Sequence, residues 1–154
     1  MAEPTTKPQT SMETELWYAT DKTGTDIKQI LQVQEIPTVQ TAQEPVTYGN
    51  LESTTEFSAK GRRKSESIAI PILYVEEQHD ALKALETSDA EVWFFVKLPE
   101  RTAKTSEKPL VYAFCGSVSL SNDTISIDGM LQETLTIFKS SETEEMKGLP
   151  SAAA

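Results

Sequence analysis

The sequence predicts a mainly β domain, an antiparallel sandwich or barrel with one α-helix on its outside and one long mobile polar loop. Three observations carry this. The stretch SIAIPIL, Ser67 to Leu73, alternates cleanly and places Ile68, Ile70 and Ile72 on one face. The period changes in VEEQHDALKALET, Val75 to Thr87, where Val75, Gln78, Leu82 and Leu85 share a helical face. Other apolar runs are short and are separated by turn chemistry such as DKTG (Asp21 to Gly24) and NDT (Asn122 to Thr124). A chain of 154 residues points to one domain, which removes roughly two thirds of its unfolded surface on folding.

Taken in order, Met1 to Thr14 is rich in Thr, Pro and Glu and reads as a flexible arm (1–14). LWYA, Leu16 to Ala19, is a short apolar strand. Ile27 to Ile36 reads as a second strand, interrupted by Pro37. Val39 to Glu66 holds no strong period, although Ser53 to Ala59 has the composition to pair as a strand. After SIAIPIL, whose Pro71 points outward and marks an edge or bulge, comes the helix. EVWFFVKL, Glu91 to Leu98, is apolar on both faces and therefore central. Pro99 to Pro109 is a charged loop. Leu110 to Leu120 is a long strand with Leu110, Tyr112 and Phe114 on one face. The last strand bends at Gly129, with Leu131, Leu135 and Ile137 inward and Gln132, Thr134 and Thr136 outward. Ser140 to Ala154 offers nothing to bury and reads as a flexible tail (140–154). The ordered β domain is thus predicted over 15–139, with about seven strands and one helix.

Composition excludes several functions. Twenty-four acidic against 14 basic residues give a net charge of -10, the wrong sign for a general nucleic-acid binder and the right one for repelling polyanions. The single cysteine, Cys115, lies in the apolar run LVYAFCGSV and reads as a buried structural thiol. His79 is the only histidine, too little for a metal site. No phosphate-binding loop, nucleophile elbow or zinc-protease helix occurs. The sequence reading is therefore no enzyme, no catalytic residue, no metal and no cofactor. No apolar run has signal-peptide or membrane-span length, which predicts a protein made in a cytoplasm without a membrane anchor.

Charge is unevenly distributed. Lys60, Arg62, Arg63 and Lys64 fall within five residues, whereas Val75 to Glu91 carries Glu76, Glu77, Asp80, Glu86, Asp89 and Glu91 against Lys83 alone. Contact between a basic loop and an acidic helix on successive copies is heterologous and builds rings or filaments. The same residues also suit a solvated hairpin tip and a solvated helix face. Ser117, Ser119, Gln132, Thr134 and Thr136 form a small, polar, uncharged set. Such a set is either an ordinary solvated sheet face or a smooth wall along which something slides.

The order of elements resembles the major tail tube protein family of long, flexible-tailed bacteriophages. The resemblance rests on the first strand, the stretch ILQVQEIPTVQ (Ile30 to Gln40), the block TYGNLESTTEFSAKGRRKSESIAIPILY (Thr47 to Tyr74), the helix VEEQHDALKAL, the strand EVWFFVKLP, and the finish YAFCGSVSLSNDTISIDGMLQETLTIFKSS. It implies a virion structural protein that assembles as stacked hexameric rings into a hollow tube through which DNA passes unbound. Its implied partners are further copies of itself and tail proteins such as the tape measure, terminator and distal tail proteins. The implied place is the virion tail. Thr47 to Ser67 would be the assembly loop, with Tyr48, Lys60, Arg62, Arg63 and Lys64 meeting a neighbour's Glu76, Glu77 and Asp80. The polar set above, with Gln32 and Gln34, would face the lumen. A tail terminator or adaptor and a secretion-system tube protein, on the same fold, are alternatives. A carbohydrate-type β-sandwich binding module is another, but Trp17 and Trp93 sit in strands and supply no exposed aromatic cluster.

Overall fold

The structure, a computed structural model, describes residues 12–64, 66–103 and 107–150. The predicted arm and tail therefore lie outside the described residues over 1–11 and 151–154, as does Ser65 of the predicted assembly loop. The described residues form β1 (Glu15–Ala19), β2 (Lys28–Ile30), β3 (Gln43–Tyr48), β4 (Phe57–Arg63), β5 (Ile68–Leu73), α1 (Glu76–Ser88), β6 (Val92–Lys97), β7 (Leu110–Asn122), β8 (Gln132–Lys139) and β9 (Glu144–Lys147).

A seven-stranded sheet runs β2-β1-β6-β7-β8-β5, with β9 also paired to β7. All its pairings are antiparallel. The sheet curls until its ends meet. Val33 bridges Ile72, the Gln34 amide donates to the Pro71 carbonyl (2.9 Å), and the Leu73 amide donates to the Gln32 carbonyl (3.0 Å). The closure joins residues 32–34, just beyond β2, to the Pro71–Leu73 end of β5 and shortens the open edge there. Pro71 fits here because its strand would otherwise be an edge, where a missing N–H is tolerated.

One face of the curled sheet holds the main core. Leu16, Ile70, Phe94, Phe114, Leu135 and Ile137 are all buried there. The helix packs Leu82, fully buried, onto this core, a burial that stabilises by roughly 1.5–3 kcal/mol. Its exposed residues include Glu76, Glu77 and Asp80. Asp89, in the left-handed region at φ 53, ends the helix. The opposite face carries a smaller core of Ala19, Phe95, Val111 and Ala113, flanked by Trp17, Trp93, Met146 and Leu149.

Four sequence expectations are corrected. Ile27 to Ile36 is not one strand: Gln32 sits at φ 62, a left-handed conformation that breaks it after Ile30. Val39 to Glu66 is not one long mobile loop with a single strand at Ser53 to Ala59: the strand runs later, as β4, and pairs with β3 in a hairpin with register Tyr48↔Phe57 and Val46↔Ala59. Residues 144–147 are not a tail: β9 pairs with the first half of β7, and Met146 covers the small core. Pro150 closes this segment against Gly24, which at φ 70 leaves no room for a β-carbon. Finally, Leu131 does not face inward: it is 55% exposed, and Glu133 is buried on the core side of β8 instead.

Candidate assembly surfaces

The registers of β5, β7 and β8 decide where the predicted wall residues lie. Ser117, Ser119 and Ser121 pair with Phe138, Thr136 and Thr134. Across the next ladder Thr136, Thr134 and Gln132 pair with Ala69, Pro71 and Leu73. Their neighbours Val118, Ile137, Leu135 and Ile70 are all core residues, so alternation puts the first set on the opposite face. The closure extends it, because Gln34 flanks Pro71 and Gln32 flanks Leu73. Ser117, Ser119, Gln132, Thr134, Thr136, Gln32 and Gln34 therefore share one side of the barrel. No residue named on it carries a charge. Thr134 is held in place by its hydroxyl, which donates to Asp123 Oδ1 at 2.6 Å.

The β3–β4 hairpin is a separate two-stranded sheet. Every residue of β3 is exposed. One hairpin face is apolar, with Val46 and Ala59 in register beside the Tyr48 and Phe57 rings, whose centroids lie 5.9 Å apart. A bulge between Lys60 and Arg63 interrupts β4. At the neck, the Thr41 hydroxyl donates to the Lys64 carbonyl (2.7 Å) and Arg63 Nη1 donates to the Thr41 carbonyl (2.6 Å). Lys139 Nζ, at the far end of β8, donates to the Val39 carbonyl (3.0 Å) and ties the neck to the barrel. Burial pushes the Lys139 ammonium below the usual lysine range.

The predicted basic cluster is thus divided by role. Arg63 braces the neck, and Lys64 lies 3.5 Å from Glu66. Lys60 and Arg62, both exposed, have no ion pair among the described residues. Glu76, Glu77 and Asp80 are likewise exposed on the first turns of α1. The two charged sets are on one chain, as the sequence predicts, but they make no ion pair with each other within it.

Sequence reasoning missed a third surface. The β7–β8 connection exposes Ile125, Ile127, Met130 and Leu131, and Tyr74 beside it is 43% exposed. The Tyr74 amide donates to the Leu131 carbonyl (2.9 Å), joining this loop to the start of α1. Beneath it lies a cavity of about 340 Å³ lined in part by Tyr74, His79, Ile125, Leu131 and Glu133. The signal was present in the alternation of TISIDGML, where polar residues separate apolar ones without a partner strand.

Two groups examined for chemistry have structural partners. Cys115 is buried and its Sγ lies 3.7 Å from Glu91 Oε2; burial pushes its thiol pKa up, which keeps it protonated. His79 is occupied by Glu133 at 2.6 Å. Among the described residues no cluster of three His, Cys, Asp or Glu side chains is placed to hold a metal, and no helix is long and apolar enough to cross a membrane.

No protein-family model matches the sequence, and no curated protein matches it. Solved structures do match. A chain of the anti-feeding prophage baseplate, determined by cryo-electron microscopy with 6-fold symmetrisation, superposes with a TM-score of 0.65 at 9% identity. The match covers 93% of this chain and 98% of that one. A chain from the cap that terminates the anti-feeding prophage tube gives 0.63 at 7% identity, covering 95% and 97%. At such identities the likeness is one of fold, and it extends over the whole domain: the chain has the fold of components of a prophage tube baseplate and cap.

Proposed function

We propose that this protein is a structural, non-catalytic subunit of a phage tail or tail-like tube, assembling through contacts between copies into rings that stack around a channel. The observation that carries this is the continuous uncharged face of β5, β7 and β8, on a fold shared end to end with chains from a prophage tube baseplate and cap. An uncharged wall of hydroxyl and amide side chains, with Phe138, Pro71 and Leu73 among them, in an acidic protein offers DNA neither counterion release nor a basic groove, so a polyanion moves past without binding. The exposed hairpin supports the same reading. It is polar enough for a soluble free subunit and carries unpaired Lys60 and Arg62 for a neighbour's acidic helix. Hexameric rings, the tail tube of long flexible-tailed phages, DNA ejection, and the tape measure and terminator as partners are the finer form of this proposal. They rest on the sequence resemblance.

The test is assembly by the wild type against Lys60→Glu/Arg62→Glu, which spares the neck bond of Arg63. Sedimentation and negative-stain electron microscopy should show stacked rings for the wild type and folded monomers for the variant. Normal assembly by the variant removes the basic hairpin from the contact. The match to a tube-terminating cap favours one second reading, a terminator or baseplate ring; single rings that never stack at any concentration would establish it.

A further inference from the structure

We infer that the β7–β8 loop, with the cavity beneath it, is the surface that receives the β3–β4 hairpin of a second copy. This rests on the self-assembly reading above and names the receiving site within it. The hairpin neck is tied to the Lys139 end of β8 through the Val39 carbonyl. The loop from 123 to 131 leaves the other end of the same strand, at Gln132. Seven residue steps of extended chain separate these ends by about 23 Å. The hairpin therefore leaves one end of the barrel and the apolar loop caps the other, the arrangement of a head-to-tail contact.

The two surfaces match in chemistry. The hairpin presents Val46, Tyr48 and Phe57, and Leu51 at its tip is fully exposed. The receiving end presents Tyr74, Ile125, Ile127, Met130 and Leu131, all exposed. Apolar side chains at this density on two separate patches are surplus to a monomer and ordinary at the core of a contact. Charge agrees: exposed Lys60 and Arg62 follow Ala59 on β4, Lys60 on the strand face opposite the apolar one, and Glu76, Glu77 and Asp80 follow Tyr74 on α1. The cavity adds an independent mark. Glu133 Oε1 is buried without a hydrogen-bond partner among the described residues, in a side chain that lines the cavity. A buried unpaired acceptor is costly, and an arriving hairpin brings a donor in the Tyr48 hydroxyl, on its apolar face.

The experiment uses full-length chains carrying two kinds of lesion. Tyr48→Ser/Leu51→Ser disables the hairpin, and Ile125→Ser/Ile127→Ser disables the loop. All four positions are exposed, and circular dichroism checks that each variant melts like the wild type. Each variant alone should sediment as a monomer at concentrations where the wild type assembles. An equimolar mixture should recover association that neither variant shows alone, because one intact hairpin then meets one intact loop. A loop variant that assembles like the wild type, or a mixture that stays monomeric, overturns this receiving site while leaving self-assembly standing. A wild type that stays monomeric with and without preformed seeds overturns the assembly reading itself.

Discussion

His79 Nδ1 on α1 lies 2.6 Å from Glu133 Oε2 on β8, linking the helix to the barrel through a carboxylate that is 3% exposed. The direction of this hydrogen bond follows the tautomer of the imidazole. The two partners differ in environment: the His79 side chain is 32% exposed and that of Glu133 is 4% exposed. Removing one is therefore unlike removing the other. His79→Ala leaves a buried carboxyl group without that partner and should destabilise by about 2 kcal/mol, reduced from the fully buried case by water at His79. Glu133→Leu leaves a histidine that water can solvate and should cost less than about 1 kcal/mol. Urea unfolding of both variants checks the order; equal losses would show that the pair has no such asymmetry.

Leu82 is the fully buried side chain of α1 and joins it to the main core. Leu82→Ala should lower stability by about 2–4 kcal/mol through lost burial and the cavity left behind. Leu85, only partly buried, should lose about half as much on the same change. Chemical denaturation of the two variants compares them directly.

Gly116 stands where β7 meets the end of β8. A β-carbon there would lie 2.5 Å from the Phe138 carbonyl oxygen and 3.0 Å from Ile137 Cγ2. Backbone cannot yield as a flexible side chain can. Gly116→Ala should separate the β7–β8 ladder and destabilise by about 1–3 kcal/mol. Hydrogen exchange should then rise at Ser117 and Val118 first, and unchanged protection would contradict the contact.

Asp26 accepts hydrogen bonds from the Thr20 amide (3.0 Å) and the Thr20 hydroxyl (2.8 Å) across the β1–β2 turn. These bonds hold its carboxyl below the usual carboxylate range. A folded pKa below the unfolded one means that the stabilisation is present above the unfolded value, near 3.9, and is lost as pH falls through the folded value. Asp26 is open to water, so the effect should be below about 1 kcal/mol. The melting temperatures of wild type and Asp26→Asn should differ at pH 6 and converge toward pH 2. A gap that persists at low pH would assign the effect to something other than ionisation.

The sequence made the barrel legible wherever burial imposed contrast. SIAIPIL, EVWFFVKL and the Leu82 face each carry a pattern that only one element satisfies, and the outward set on β8 followed from the same alternation. The hairpin was hidden because QEPVTY and FSAKGRR leave nearly every side chain exposed in the monomer, so burial imposes no alternation on them. β9 was hidden for a related reason: EEMK contributes one apolar side chain, and its partner is the half of the long strand β7 that β8 does not reach. The turn at Gln32 has no glycine to announce it. Glu133 occupied the inward phase between Leu131 and Leu135, and only the structure shows that the helix supplies His79 to meet it.

The uncharged face of β5, β7 and β8 is proposed to line the channel of an assembled ring. A cryo-electron microscopy reconstruction of the assembled protein tests it most directly. Ser117, Ser119, Gln132, Thr134 and Thr136 should lie on the bore, with near-zero or negative potential along the wall. A bore lined by the basic hairpin, or this face buried between subunits away from the channel, would contradict it.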